Sequence, residues 1–93
     1  MKAVIRHEAS DDLERIYRWI SKDSPANAAS VIERLLDAIE SKICAFPFLG
    51  RAGTVDATRE WVVRGLPYII VYQVDVDREL ITVLAIFHAA QSR

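Results

Sequence analysis

The sequence predicts an α+β protein in which an antiparallel helical hairpin packs on a small, mostly antiparallel sheet, in the order β-α-α-β-β-β. Three observations lead there. Two segments of helical period fill the first half with only Lys22 to Ser24 between them. Pro47 and Gly50 then break the pattern, and from Arg59 onward the period becomes that of strands.

The opening segment, Lys2 to His7, carries apolar Val4 and Ile5 and reads as a short strand. Ser10 or Asp11 then offers a cap for the first helix, with acids at Asp11, Asp12 and Glu14 suited to the positive end of its dipole. Leu13, Ile16, Tyr17 and Ile20 recur at i, i+3, i+4 and i+7, a stripe that faces a core. Trp19 falls off that stripe, so its indole either covers the sheet edge or is left for another chain. Ser24-Pro25 starts a second helix, because proline at the first helical position gives up an N–H that would have no partner there. Ala28, Val31, Ile32, Leu35, Leu36, Ile39 and Ile43 form its apolar face, and Glu33, Arg34, Asp37, Glu40 and Lys42 take the other side. So few residues between the helices force them antiparallel.

Pro47 stops the second helix, and residues 50 to 58 read as a loop of small and polar residues. Glu60 to Arg64 is a short strand, Gly65-Leu66-Pro67 a turn, Tyr68 to Val74 a second strand, and Leu80 to Phe87 a third after the polar turn Asp75 to Glu79. The last two are apolar at nearly every position, which requires cover on both faces or a partner on one.

Ninety-three residues make a single domain, residues 1–93, and 52% apolar composition with three glycines and three prolines marks a folding chain rather than a disordered one. A chain of this size buries roughly 60 to 65% of its unfolded surface, so surplus apolar residues face a partner. Twelve bases against thirteen acids leave a net charge of -1, and neither half of the chain carries a basic surplus. Broad phosphate gripping gains its free energy from such a surplus, so sequence-specific nucleic-acid binding by this chain alone is not expected. Cys44 is the lone cysteine, which excludes a disulfide within the chain and a thiolate metal site and fits a reducing cytoplasm. His7-Glu8 has no second histidine at ligand spacing, so no zinc site is expected. No apolar run approaches the ~20 residues of a membrane span, and the charged N-terminus does not read as a signal peptide.

The residues from Phe46 onward carry a resemblance. Phe46-Pro47-x-x-Gly50-Arg51, Arg59-Glu60, Tyr68-Ile69-Ile70-Val71-Tyr72-Gln73-Val74 and Phe87-His88, preceded by a strand and a helix with Ala9 and Leu13, resemble in order and spacing the RelE/ParE superfamily of type II toxin-antitoxin toxins. The resemblance spans essentially the whole chain. It implies a bacterial toxin, without cofactor, held inactive by an antitoxin whose extended C-terminal segment wraps it.

Two activities occur in that superfamily. RelE-like members cut messenger RNA on the ribosome, with cations around the scissile phosphate and a late tyrosine or histidine for proton transfer. Here the lysine positions of that set fall on Glu60 and Val62, one arginine falls on Ile69, the late arginine falls on Ala90, and no tyrosine follows Tyr72; Arg64 remains at a shared basic position. One arginine cannot neutralise a pentacovalent phosphate. The ParE-like branch lacks that set and resembles this chain better, which implies no catalytic residues, growth arrest by inhibition of DNA gyrase and neutralisation by a ParD-like antitoxin. The alternatives are a RelE-like ribosome-dependent endoribonuclease and a non-toxic member that only binds the antitoxin as a corepressor.

The partner-binding candidates are Trp19, Arg51, Arg59, Arg64, His88 and Arg93. Each has a plainer reading beside the functional one. A lone histidine closing an apolar strand is more often a hydrogen-bonded structural residue than a general base. Arg59 and Glu60, neighbours on a strand, point to opposite faces, so Arg59 is expected to bond loop carbonyls or a helix carboxylate. Arg51 reads as loop-pinning or solvated, Trp61 as core or rim, and Cys44 as a small apolar filler.

Overall fold

A computed structural model describes residues 1–90 of the chain. Strand β1 (Lys2–Ile5) leads into α1 (His7–Ser21) and α2 (Pro25–Ala38), which continues as a π-helical turn over Ile39–Ile43. Strands β2 (Arg51–Ala52), β3 (Thr58–Val62), β4 (Tyr68–Asp75) and β5 (Leu80–His88) follow. The five strands form one sheet in the order β1-β5-β4-β3-β2. β1 lies parallel to β5, and every other neighbouring pair is antiparallel.

The first helix begins earlier than its cap residues suggest. Arg6 is extended and its N–H donates to Val83 O at 3.0 Å, while its carbonyl already accepts from Ser10 N–H at 2.9 Å. One residue therefore closes the β1–β5 ladder and opens α1, with no side-chain cap, and Ser10 and Asp11 lie inside the helix. β1 consequently ends at Ile5 rather than His7. Ala9 and Ile16 are buried, with Leu13 and Ile20 packed beside them. Tyr17 departs from the expected stripe and is 41% exposed.

The second helix starts where the sequence places it: Ser24 Oγ accepts from Asn27 N–H at 3.2 Å and Pro25 occupies the first turn. Its buried positions are Ala28, Leu35, Ala38, Ile39 and Ile43; Leu36, expected on that face, is largely exposed instead. The Cys44 N–H reaches back five residues to Ile39 O at 2.9 Å, the wide turn that lets both Ile39 and Ile43 enter the core.

Two sheet details were not legible in the sequence. The stretch expected as plain loop contains β2, whose Arg51 and Ala52 pair with Glu60 and Arg59, and β3 starts two residues early, at Thr58. β5 carries one extra residue, Leu84, between Val83 and Ala85 opposite the step from Val71 to Tyr72. The bulge moves the buried positions from Ile81 and Val83 to Ile86, so that all three reach the same core. On β4, Tyr68 through Tyr72 are buried without alternation, as expected of a strand covered on both faces.

Candidate functional site: two grooves flanking the sheet

Register separates the two arms of Arg59-Glu60. Arg59 and Trp61 lie opposite Tyr72 and Ile70, while Thr58, Glu60 and Val62 lie opposite Gln73, Val71 and Ile69 on the other face. Arg59 donates to Gly50 O at 2.7 Å and Phe48 O at 3.3 Å, and its guanidinium stands 4.8 Å from the Phe48 ring centroid. Arg51, across from Glu60, donates to its buried carboxylate at 3.2 Å. Both arginines thus tie the 46–60 segment to the sheet. Tyr72 completes that tie: its hydroxyl donates to Pro47 O at 2.8 Å and accepts from Gly50 N–H at 2.9 Å. Gly50 is required there, because a Cβ would sit 2.6 Å from the Tyr72 hydroxyl. Burial pushes the Tyr72 hydroxyl above its ordinary pKa of 10.0, partly opposed by the Gly50 N–H and the Arg59 charge.

One groove, about 430 Å³, lies between α1 and the end of β5 and brings Trp19 and His88 together with Asp12, Arg15, Tyr68 and Phe87. Trp19 is 69% exposed, with the Lys22 ammonium 5.1 Å from its ring centroid. His88 sets its ring edge on Tyr68 at 5.4 Å and 80°, and its Nδ1 accepts from Ala90 N–H at 3.0 Å. The groove lies where the pairing of β1 along β5 has ended, beyond Val83. Past that point the Ile86 N–H donates to the Asp12 carboxylate at 2.9 Å, and Asp12 also holds Arg15 at 2.7 Å.

A second groove, about 640 Å³, runs between the end of α2, the Phe46–Leu49 segment and the end of β3, and it holds Arg64. Arg34 and Lys42 stand on its helical side and Phe46, Leu49 and Trp61 line it. None of these five was among the partner-binding candidates, although Arg34, Ala38 and Lys42 at spacings of four are legible as one helical strip.

The candidates therefore do not converge. Trp19 and His88 share one groove, Arg64 lines the other, and Arg51 and Arg59 are engaged in holding the loop; Arg93 lies outside the described residues. Among the described residues no group of three or more His, Cys, Asp or Glu could hold a metal ion, and no helix is long and apolar enough to cross a membrane. Burial raises the Cys44 pKa, the nearby N-terminal amine lowers it and Glu40 raises it, a balance that keeps a protonated thiol packed against the core.

The model of the ParE toxin of the type II toxin-antitoxin system parDE matches residues 3–93. The chain belongs to the ParE toxin family. A protein of Sinorhizobium fredii (strain NBRC 101917 / NGR234) named "Putative toxin Y4kP" is 39% identical over 79 residues, covering 85% of this chain and 78% of its own length. Among solved structures, a chain of the chromosomal ParDE system from P. aeruginosa superposes with a TM-score of 0.79 at 20% identity, covering 95% of each chain. A chain of the E. coli RelBE toxin-antitoxin complex gives 0.69 at 15% identity with 96% of each chain covered. A chain of the M. tuberculosis RelBE2 complex gives 0.64 at 18%, covering 94% of this chain and 95% of its own. At these identities the likeness is one of fold, which ParE and RelE toxins share.

Proposed function

We propose that this ParE-family toxin arrests growth by docking on DNA gyrase, without cutting RNA, and that a ParD-like antitoxin neutralises it. The disposition of its basic side chains carries this reading. Phosphodiester cleavage needs cations and a proton-transfer group aimed at one phosphate. Here Arg51 is paired with Glu60, Arg59 is bonded to two carbonyls, and Arg64 and His88 line different grooves. The ParE family match over nearly the whole chain supports the same side, and the ParDE and RelBE assemblies to which the fold is similar support an antitoxin as the first partner.

A toxin of this kind works by binding one conformational state of its target more tightly than the next, which shifts the population towards it. The groove between α1 and β5, with exposed Trp19 at its rim, offers the antitoxin the aromatic anchor that protein interfaces favour. A supercoiling assay with purified gyrase tests the reading. Inhibition accompanied by trapped, cleaved DNA is expected, with intact messages in translating extracts and relief on adding the antitoxin encoded beside the gene. Cleavage of messages inside ribosomes with supercoiling untouched would replace it with the ribonuclease reading. Antitoxin binding without a growth defect would replace it with the corepressor reading.

A further inference from the structure

β5 ends at His88, and the two residues after it are held by their N–H groups in different ways. The Ala89 N–H donates to Pro67 O, at 2.6 Å, in the turn between β3 and β4. The Ala90 N–H donates to the His88 Nδ1 at 3.0 Å, a side chain reaching two residues ahead along its own chain. An imidazole nitrogen accepts only while it carries no proton, so the neutral ring keeps its hydrogen on Nε2, and this bond is lost when Nδ1 is protonated. The carbonyl that holds Ala89 has no such dependence.

The titratable groups that face His88 among the described residues come from β4 and α1. From β4, Tyr68 meets the ring at 5.4 Å and 80°, and burial holds its hydroxyl above the ordinary pKa of 10.0, so it stays neutral while imidazoles titrate. From α1, Asp12 and Arg15 share the groove with His88, but the Asp12 carboxylate is already engaged by Arg15 at 2.7 Å and by the Ile86 N–H at 2.9 Å. These two charges oppose one another at the imidazole. His7, the other histidine of the chain, is arranged the opposite way: its Nε2 lies 3.3 Å from the Asp11 carboxylate, a contact that protonation strengthens.

We propose that His88 is a proton-operated latch at the end of β5: neutral, it fastens the Ala89–Ala90 turn; protonated, it frees the Ala90 N–H and adds a positive charge to the groove that Trp19 lines. The latch needs one ring and one amide, and it does not depend on which target the toxin has. A partner entering the α1–β5 groove would meet a looser turn and a more cationic wall once the ring has taken up its proton. Acidification thus alters the groove without changing its apolar lining.

NMR on the isotopically labelled full chain tests it. At about pH 7.5 the His88 Nδ1 resonance should be that of an unprotonated acceptor, and on titration to about pH 5.5 the Ala90 amide should shift with the same midpoint as the ring. Hydrogen exchange at Ala90, corrected for the intrinsic effect of pH, should rise at least about fivefold, while that at Ala89 changes less than about twofold. His88→Asn should abolish the response, because an asparagine side-chain oxygen accepts from the N–H two residues on at any pH. His7→Gln should leave it intact. An Nδ1 already protonated at about pH 7.5, an Ala90 amide that ignores the titration of His88, or a response that survives in His88→Asn would overturn the proposal.

Discussion

Tyr72 holds the Phe46–Gly50 segment through one oxygen, and that concentration of function makes it a sensitive residue. Tyr72→Phe keeps the ring in the core but leaves the Gly50 N–H and the Pro47 carbonyl without their partner, a loss of ~1–3 kcal/mol that urea denaturation would register as a lower midpoint. Gly50→Ala should cost a similar amount, ~1–3 kcal/mol, by driving the new methyl into the same hydroxyl. The pH dependence has a definite sign. Burial raises the pKa of both Tyr72 and Tyr68 above 10.0, so the stability they contribute is fully present below pH 10 and declines as pH climbs through the folded-state values. Melting temperatures should fall above pH 10, and less so in Tyr72→Phe than in the parent chain. Trp19 is the opposite kind of residue: at 69% exposure its loss in Trp19→Ala should move stability by no more than ~0.5 kcal/mol. Antitoxin affinity measured by calorimetry should nonetheless drop by ~2 kcal/mol or more. The structural side of these residues was partly readable: the strand alternation that sets Arg59 and Glu60 on opposite faces needs only the period of two. Which carbonyls Arg59 reaches depended on how the loop folds back, and no local pattern encodes that.

At the level of elements, the exposed stretch of β5 is managed by α1. β1 pairs with Leu80 through Val83 only, and a bare strand edge invites unwanted pairing. Asp12 blunts it by accepting from Ile86 N–H. Asp12→Ala should therefore cost ~1–3 kcal/mol, and Asp12→Asn, which keeps an acceptor, clearly less; thermal unfolding of the two variants separates these outcomes. Helix and strand identities were legible because their periods differ, and Ser24-Pro25 fixed one boundary. The other boundaries slipped for physical reasons. Arg6 starts α1 because its backbone is already held by β5, a contact 77 residues away in sequence that outweighs the local caps at Ser10 and Asp11. The Leu84 bulge was invisible because Val83 through Phe87 are all apolar, so a shift in alternation leaves no trace in composition. β2 escaped notice because two residues carry no period at all.

For the molecule as a whole, balanced charge hides local imbalance. A count of acids and bases excluded broad phosphate binding, yet it could not show that Arg34, Lys42 and Arg64 gather on one groove. The two grooves lie against different helices, so a partner could occupy one and leave the other open. Toxicity and antitoxin binding should then be separable by mutation: Trp19→Ala and Lys42→Glu/Arg64→Glu are expected to differ in which of the two they impair, scored by growth on induction and by pull-down with the antitoxin.

The parallel pairing of β1 with β5 has a further consequence for synthesis. β1 finds no neighbour until β5 has followed it, so the sheet cannot close on β1 before Leu80 onward has been made. A product truncated before Leu80 should stay protease-sensitive, because β1 and β4 both lack the strand that joins them.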